Sequence, residues 1–334
     1  MILVLNCGSQ SIKWKVFDDK LNTVKAGQGT VLEEELGKAK EFNIDLIGHR
    51  VVHGGGTFVS PTQITDENLI ELEKLNNLAP LHNPFNILGI KTCQKFFVNK
   101  PNIAVFDTEF FSNLPEKAYT YALPEAINQQ LGFKRYGFHG TSHEYVAKEA
   151  AKRIKKPYNK LNIITCHLGG GASVAAIKNG KAVDTSMGFT PLEGLVMMTR
   201  SGNVDPGIVL ELAKEFGIDK ANEILNKQSG IKGICGEDDM LKVLAKTESP
   251  EESQRRRVEL ALDMFAYSIQ KYIGSYFAIL GGCNALVFTG AIGFGSEKIR
   301  DMVCDGLNIL KKTKILAIEN NEELAIAQKI VSLK

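Results

Sequence analysis

The chain opens on an unbroken apolar run, MILVLN, then small residues, CGSQS, then IKWKVFD, where Ile12, Trp14 and Val16 alternate with Lys13 and Lys15. The first run is the pattern of a strand buried on both faces, and the second that of a half-buried strand. A third strand-like run, LNTVKAG, follows the turn at Asp18 to Lys20. The same order of events recurs about 160 residues later: NIITCHL, a glycine turn, ASVAAIK, Asn179-Gly180 and KAVDTS. Asn-Gly is a strong hairpin signal because both central positions of a type I′ turn need positive φ. Helical patterns follow each copy. They are DENLIELEKLNNL and PFNILGIKTCQKFF in the first half, and VDPGIVLELAKEFG, IDKANEILNKQS and RRVELALDMFAYSIQKYIGSYFAIL in the second. A strand–tight loop–strand–hairpin–strand unit repeated with trailing helices predicts a duplicated α/β fold with a central cleft. A dinucleotide fold is the competitor, but no G-x-G-x-x-G joins the first strand to a helix.

Composition adds boundaries. A length of 334 residues suffices for two domains of ordinary size. With 40 basic against 38 acidic side chains, the balance gives no reason to expect a nucleic-acid or membrane-surface partner. Basic clusters such as Lys152, Arg153, Lys155, Lys156 and Arg255, Arg256, Arg257 read as solvated helix faces. No leader segment or membrane span is read in the chain. The six cysteines form no CxxC pair, which points to reduced thiols in a cytoplasmic protein. All six histidines sit beside turn signals, in GHRVVHGGG, PLHNP, GFHGTSH and CHLGGG. That placement predicts a polar cleft lined by loops, although any one of them can be structural.

The turns carry the candidate chemistry. NCGSQS and HLGGGAS supply small residues where backbone N–H groups can approach a phosphate; the alternative is two plain hairpin connections. Arg50 ends an apolar run in GHRVVHGGG, and Arg200 precedes a helix start at Asp205-Pro206. In such loops an arginine clamps a carboxylate or phosphate, or else simply faces solvent. His139 lies in a Gly-Phe-His-Gly turn, with Ser142 expected just before the helix EYVAKEAAKRI. Asp107 ends the buried strand of AVFDTEFF, a usual place for a functional carboxylate.

MILVLNCGSQSIK, GHRVVHGG, LAPLHNP, FDTEFF, RYGFHGTSH, DTSMGFTPLEGLVMMTRSGNVDP, FTGAIG and NEELAIA resemble, in order, the signature blocks of the acetate kinase family. The resemblance implies an actin-like, sugar-kinase-like (ribonuclease H-like) duplicated fold. It implies a homodimer that transfers phosphate in line between ATP and acetate, giving acetyl phosphate and ADP, with magnesium (manganese as the alternative ion). It further implies that Asn6 and Glu322 hold the metal and that Arg50 and Arg200 grip acetate and the moving phosphoryl group. His139 would stabilise that group, Asp107 would orient the basic groups, and His82 and His143 would support them. Val52, Leu81, Phe138 and Pro191 would line the pocket for the acetate methyl. The nucleotide side would comprise Ser9, Ser11 and Lys13 at the first turn and His167, Leu168, Gly169, Gly170 and Gly171 at the second. Asp239 and the stretch Ala291, Ile292, Gly293, Phe294 and Gly295 would complete it. An acceptor-side domain is expected over 1–108, with the tail 323–334 packing back on it, and a nucleotide-side domain over 109–322.

The match departs on the nucleotide side. The family pattern has Asn where this chain has Gly170, an arginine where it has Leu241, and GIGEN where it has Ala291 to Gly295. The chain is also shorter, chiefly before Arg50 and between Ile299 and Glu322. Drift that keeps ATP, another donor such as pyrophosphate, propionate as acceptor, and a non-catalytic scaffold on the same fold stay open at this point.

Overall fold

The computed structural model describes residues 1–8, 11–80 and 82–333. The expected site residues Ser9 and Leu81 lie outside the described residues. The chain divides into two compact units: Met1–Ser112 with Phe138–Tyr145 and Asn321–Lys334, and Asn113–Gly137 with Val146–Asn320.

The first unit is built on a sheet of β1 (Ile2–Cys7), β2 (Ile12–Phe17), β3 (Thr23–Gly29), β4 (Leu46–Val51), β5 (Thr62–Gln63) and β6 (Asn102–Phe106), in the order β3-β2-β1-β4-β6-β5. The first three strands form an antiparallel meander, while β4 and β6 run parallel to β1. β1 is buried on both faces, which is why its sequence is a continuous apolar run. Leu3, Leu5 and Cys7 pack with Trp14, Leu36 and Cys93, on the side of the helices Leu32–Ala39 and Asn83–Phe96. Ile2 and Val4 pack on the other side with Ile326, Ala327 and Ile330 of the C-terminal helix Glu322–Val331. Gly48 allows that approach, since a Cβ there would sit 2.8 Å from Ile326 and 2.9 Å from Ile330.

The second unit repeats the plan with β7 (Asn162–Leu168), β8 (Ala172–Lys178), β9 (Lys181–Thr185), β10 (Ala285–Thr289) and β11 (Lys314–Ala317), ordered β11-β10-β7-β8-β9. Again three strands form a meander and two parallel strands follow. The β8–β9 turn has Asn179 at φ +52° and Gly180 at φ +81°, the type I′ geometry that Asn-Gly predicts. The long helix Glu252–Leu280 packs on β7 and β8.

The structure differs from the sequence reading, or adds to it, at four places. The second helical run continues past Glu223 only as a π turn over Ile224–Gln228. β11 carries too weak an alternation to be read from sequence. The helix expected after Ser142 begins at Gly140, because the His143 N–H already donates to the His139 carbonyl. Finally, Phe138–Tyr145 groups with the first unit, not with residues 109–322. There the Gly140 N–H donates to the Asp107 carbonyl at 3.0 Å, and a Cβ on Gly140 would lie 2.2 Å from that oxygen.

Candidate functional site

Alternation along the first sheet gathers one set of side chains. Val4 pairs with Gly48 and Lys15, and Asn6 with Lys13, so two residues on, Asn6 and Arg50 share the face covered by the C-terminal helix. Val105 lies on that face too, which places Asp107 with it just beyond the end of β6. Because β1, β4 and β6 are parallel, these residues collect at one edge, the carboxyl ends of the strands. Arg50 is held there between two carboxylates. Its Nε donates to Asp107 Oδ1 at 3.1 Å, its Nη2 to Asp107 Oδ2 at 2.7 Å, and its Nη1 pairs with Glu322 Oε2 at 3.1 Å. Burial opposes the Arg50 charge, but Asp107 and Glu322 hold its pKa above the ordinary arginine value. Beside it Lys15 donates to Asn321 Oδ1 at 2.8 Å and pairs with Glu323 at 3.1 Å.

His139 adopts φ +58°, a left-handed conformation that costs a non-glycine residue about 1–2 kcal/mol. Strain of that kind is retained where the surroundings hold it, and here Gly140 is pinned on the Asp107 carbonyl. Phe138 is buried and meets the His53 ring edge-on at 5.4 Å, and His143 is buried against Phe111. Two residues absent from the sequence reading organise the adjoining loop. Asn83 Oδ1 accepts from the His53 N–H and its Nδ2 donates to the His53 carbonyl, while Asn86 Oδ1 accepts from the Val52 N–H. Asn86 Nδ2 also donates to the Cys7 carbonyl at the end of β1. Their signal was available: two asparagines at i and i+3 on an apolar helix face need buried partners. His82, just before that helix, is half-buried. His49 corrects the view that every histidine lines a cleft. It lies inside β4, fully buried, and donates from Nε2 to Asn102 Oδ1 at 2.7 Å; burial lowers its pKa to about 4. Asn102 Nδ2 is committed to the Lys100 carbonyl, which sets this tautomer.

In the second unit Arg200 is in a different state. Burial lowers its pKa, and among the described residues no carboxylate pairs with it. Its Nη1 donates to the Pro191 carbonyl at 3.3 Å and lies 3.8 Å from Met197 Sδ. The loop is fixed by main-chain bonds from Met197 to the Arg200 carbonyl, Ser201 to Leu225 and Ile231 to Met197. A desolvated guanidinium without a counter-charge is a receptor for an anion.

The second glycine turn is closed by a bond from the Gly169 N–H to the Gly171 carbonyl at 3.0 Å. His167 lies next to last in β7. Helix Gly290–Gly295 follows β10, with Gly290 at φ +78° against the Leu168 carbonyl. The sequence model of the Acetokinase family matches residues 19–329. The chain belongs to this family. It is 41% identical to the acetate kinase of Carboxydothermus hydrogenoformans over 396 aligned positions, covering 99% of this chain and 98% of that protein. Since the chain has 334 residues, it carries internal deletions relative to that relative. Among solved structures, Porphyromonas gingivalis acetate kinase superposes with a TM-score of 0.90 at 34% identity, over 100% of this chain and 99% of that one. A Francisella tularensis propionate kinase gives 0.90 at 35%, over 98% of each. The fold is therefore the duplicated α/β one that the strand repeat predicts, and the actin-like one that the family resemblance implies.

The residues that the resemblance assigns to the nucleotide side differ in their surroundings. Leu168 and Ile292 are buried, so their side chains serve packing and any contact they offer is main chain. Asp239 caps the helix Met240–Ala245, with Oδ1 accepting from Leu241 N at 2.8 Å and from Lys242 N at 3.2 Å. Ser11 gives its carbonyl to the Gly8 N–H, and Lys13 is exposed on β2. Ala291, Phe294 and Gly295 are exposed, and Gly293 packs on Leu168. Gly170 is sterically free: a Cβ there would meet nothing within 4 Å. Leu241, where the pattern has an arginine, is 77% exposed.

The metal implied by the family fits the first unit by donor type. At the edge holding Asn6, the carboxylates Asp107, Glu322 and Glu323 supply hard oxygen donors beside the Asn6 amide, and the cations Lys13, Lys15 and Arg50 balance their charge. Among the described residues no three His, Cys, Asp or Glu side chains are grouped to cage an ion. Magnesium needs no such cage, since it keeps waters and substrate phosphates beside one or two hard oxygen ligands.

Proposed function

We propose that this chain is an acetate kinase, transferring the terminal phosphoryl group of ATP reversibly to acetate to give acetyl phosphate and ADP. The observation that carries the reading is the pair of contrasting arginines: Arg50 braced by Asp107 and Glu322, and Arg200 desolvated with no carboxylate partner among the described residues. Acetate is ionised at neutral pH, so its attack on phosphorus needs no general base. The requirements are alignment of two anions and neutralisation of their charge, and rigid guanidinium groups supply both. In this reading Arg50 orients the acetate carboxylate, with Asp107 fixing its plane. Val52 and Phe138 bound the methyl group. A carboxylate oxygen bonds to phosphorus as the bond to the ADP oxygen breaks, and Arg200 and His139 offset the charge on the phosphoryl oxygens. Asn6 and Glu322 would hold magnesium, which neutralises polyphosphate charge when bound. His82 and His143 support the loops around these groups.

The backbone of Gly169 to Gly171 and the stretch from Ala291 to Gly295 would receive the nucleotide, with Asp239 shaping its neighbouring loop. Gly170 and Leu241 favour a relaxed donor preference as a second reading, because each removes a polar side chain without any backbone demand for the change. Propionate is the rival acceptor, since one methylene in an apolar pocket is worth only about 1–3 kcal/mol. A homodimer in the cytoplasm is part of the same proposal. The test is acetyl phosphate formation across acetate and propionate, each with ATP, GTP and pyrophosphate plus magnesium. Acetate with ATP is expected to be the fastest pair; no product with any pair would overturn the reading.

A further inference from the structure

Three segments of the first unit each contribute one residue to the proposed site and, a few positions later, one member of a second ionic cluster. Asp107 is followed by Glu109, His139 by Glu144, and Glu322 by Lys329. Lys329 Nζ lies 2.8 Å from Glu109 Oε1 and 2.8 Å from Glu144 Oε2. The three side chains are 16%, 14% and 18% exposed, so the cluster is largely withdrawn from water. Among the described residues the second oxygen of Glu109 is buried with no hydrogen-bond partner, which makes Lys329 the principal compensation of this carboxylate.

We propose that Lys329, Glu109 and Glu144 are positioning residues, whose ion triad sets the register of the three segments that carry Glu322, Asp107 and His139. The inference rests on the acetate kinase reading of the site. The C-terminal helix lies on β1 and β4 through Ile326, Ala327 and Ile330, contacts that are apolar and non-directional. They bury the helix without fixing where along its axis it stops. Glu322 and Lys329 are seven residues apart, two turns or about 10 Å, on one helix face. Glu322 meets Arg50 at one end, and Lys329 meets the Asp107 and His139 segments at the other. A slip of one residue, about 1.5 Å, would break both clamps together. Displacements of that size in phosphoryl transfer cost orders of magnitude in rate. Buried ionic groups are weak sources of stability, so register, not folding energy, is the property this triad supplies.

The test uses the full chain with acetate, ATP and magnesium, trapping acetyl phosphate as hydroxamate. Lys329→Met is expected to lower kcat about tenfold or more with both KM values within about threefold, and Lys329→Arg, which still bridges two carboxylates, to recover most of the loss. Glu144→Gln, which keeps shape and a hydrogen-bonding oxygen, is expected to lower kcat several-fold and decides the matter should Lys329→Met fail to fold. With an active wild type, kcat within about twofold in the folded variants, or a loss that Lys329→Arg does not relieve, overturns the inference alone. An inactive wild type overturns the functional reading and this inference with it.

Discussion

Truncating Arg200 to alanine removes a guanidinium that burial has desolvated and that no described carboxylate balances. Its hydrogen bond to the Pro191 carbonyl, at 3.3 Å, is long and contributes at most about 1 kcal/mol. Relief of the desolvated charge opposes even that loss, so the melting temperature should move by only about 2–4 °C. The kinetic effect should be far larger. Removing one preorganised positive group from a phosphoryl-transfer site typically lowers turnover about 10²- to 10⁴-fold, or about 3–5 kcal/mol in barrier. Arg50→Ala supplies the contrast. It strips both prongs from Asp107, which is 1% exposed, and leaves that carboxylate buried and unpaired, at a cost of about 3–5 kcal/mol in stability. The assay is hydroxamate-trapped acetyl phosphate alongside thermal melting of both variants. Arg200→Ala with turnover within about tenfold of wild type and unchanged KM values would refute the role given to this arginine. Equal destabilisation by the two substitutions would refute the structural distinction between them.

Gly170→Asn should fold with stability unchanged or raised by about 0.4–1 kcal/mol, since its Cβ has open space and glycine's unfolded-state freedom is removed. The KM for ATP should fall in the same variant, measured against GTP and pyrophosphate; a lowered melting temperature would contradict the geometry. Gly140→Ala should destabilise by about 1–3 kcal/mol or more and lower kcat, because the methyl would press on the Asp107 carbonyl that anchors the His139 turn. His49 has a folded pKa of about 4, below its unfolded value near 6.5, so the unfolded chain binds the proton more readily between those limits. Stability is then fully present above about pH 6.5 and is lost as pH falls towards 4, by ~3 kcal/mol at most from this group. Thermal melts against pH should show that slope, and His49→Gln should flatten it.

Much of this architecture is legible in the chain because local pattern and tertiary role agree. β1 is apolar without alternation since helices cover both its faces, and Asn179-Gly180 makes the turn its backbone requires. The expected position of Asp107 after a buried strand is where the structure has it, on the face shared with Arg50. Other features escape because their causes are long-range. His49 sits beside a glycine yet is a buried strand residue, satisfied by Asn102 from a strand 53 residues away. The Lys329 triad joins segments up to 220 residues apart, and no local window contains it. The grouping of Phe138–Tyr145 with the first unit likewise comes from distant partners, among them Asp107 for Gly140, His53 for Phe138 and Lys329 for Glu144.

The central claim is that this chain phosphorylates acetate, and the most direct measurement is acetyl phosphate formation by purified protein given acetate, ATP and magnesium. The account predicts acetate-dependent product that disappears on chelating the metal and falls by orders of magnitude in Arg200→Ala. Folded protein that forms no acetyl phosphate from acetate with ATP, or an Arg200→Ala variant as active as the wild type, would contradict it.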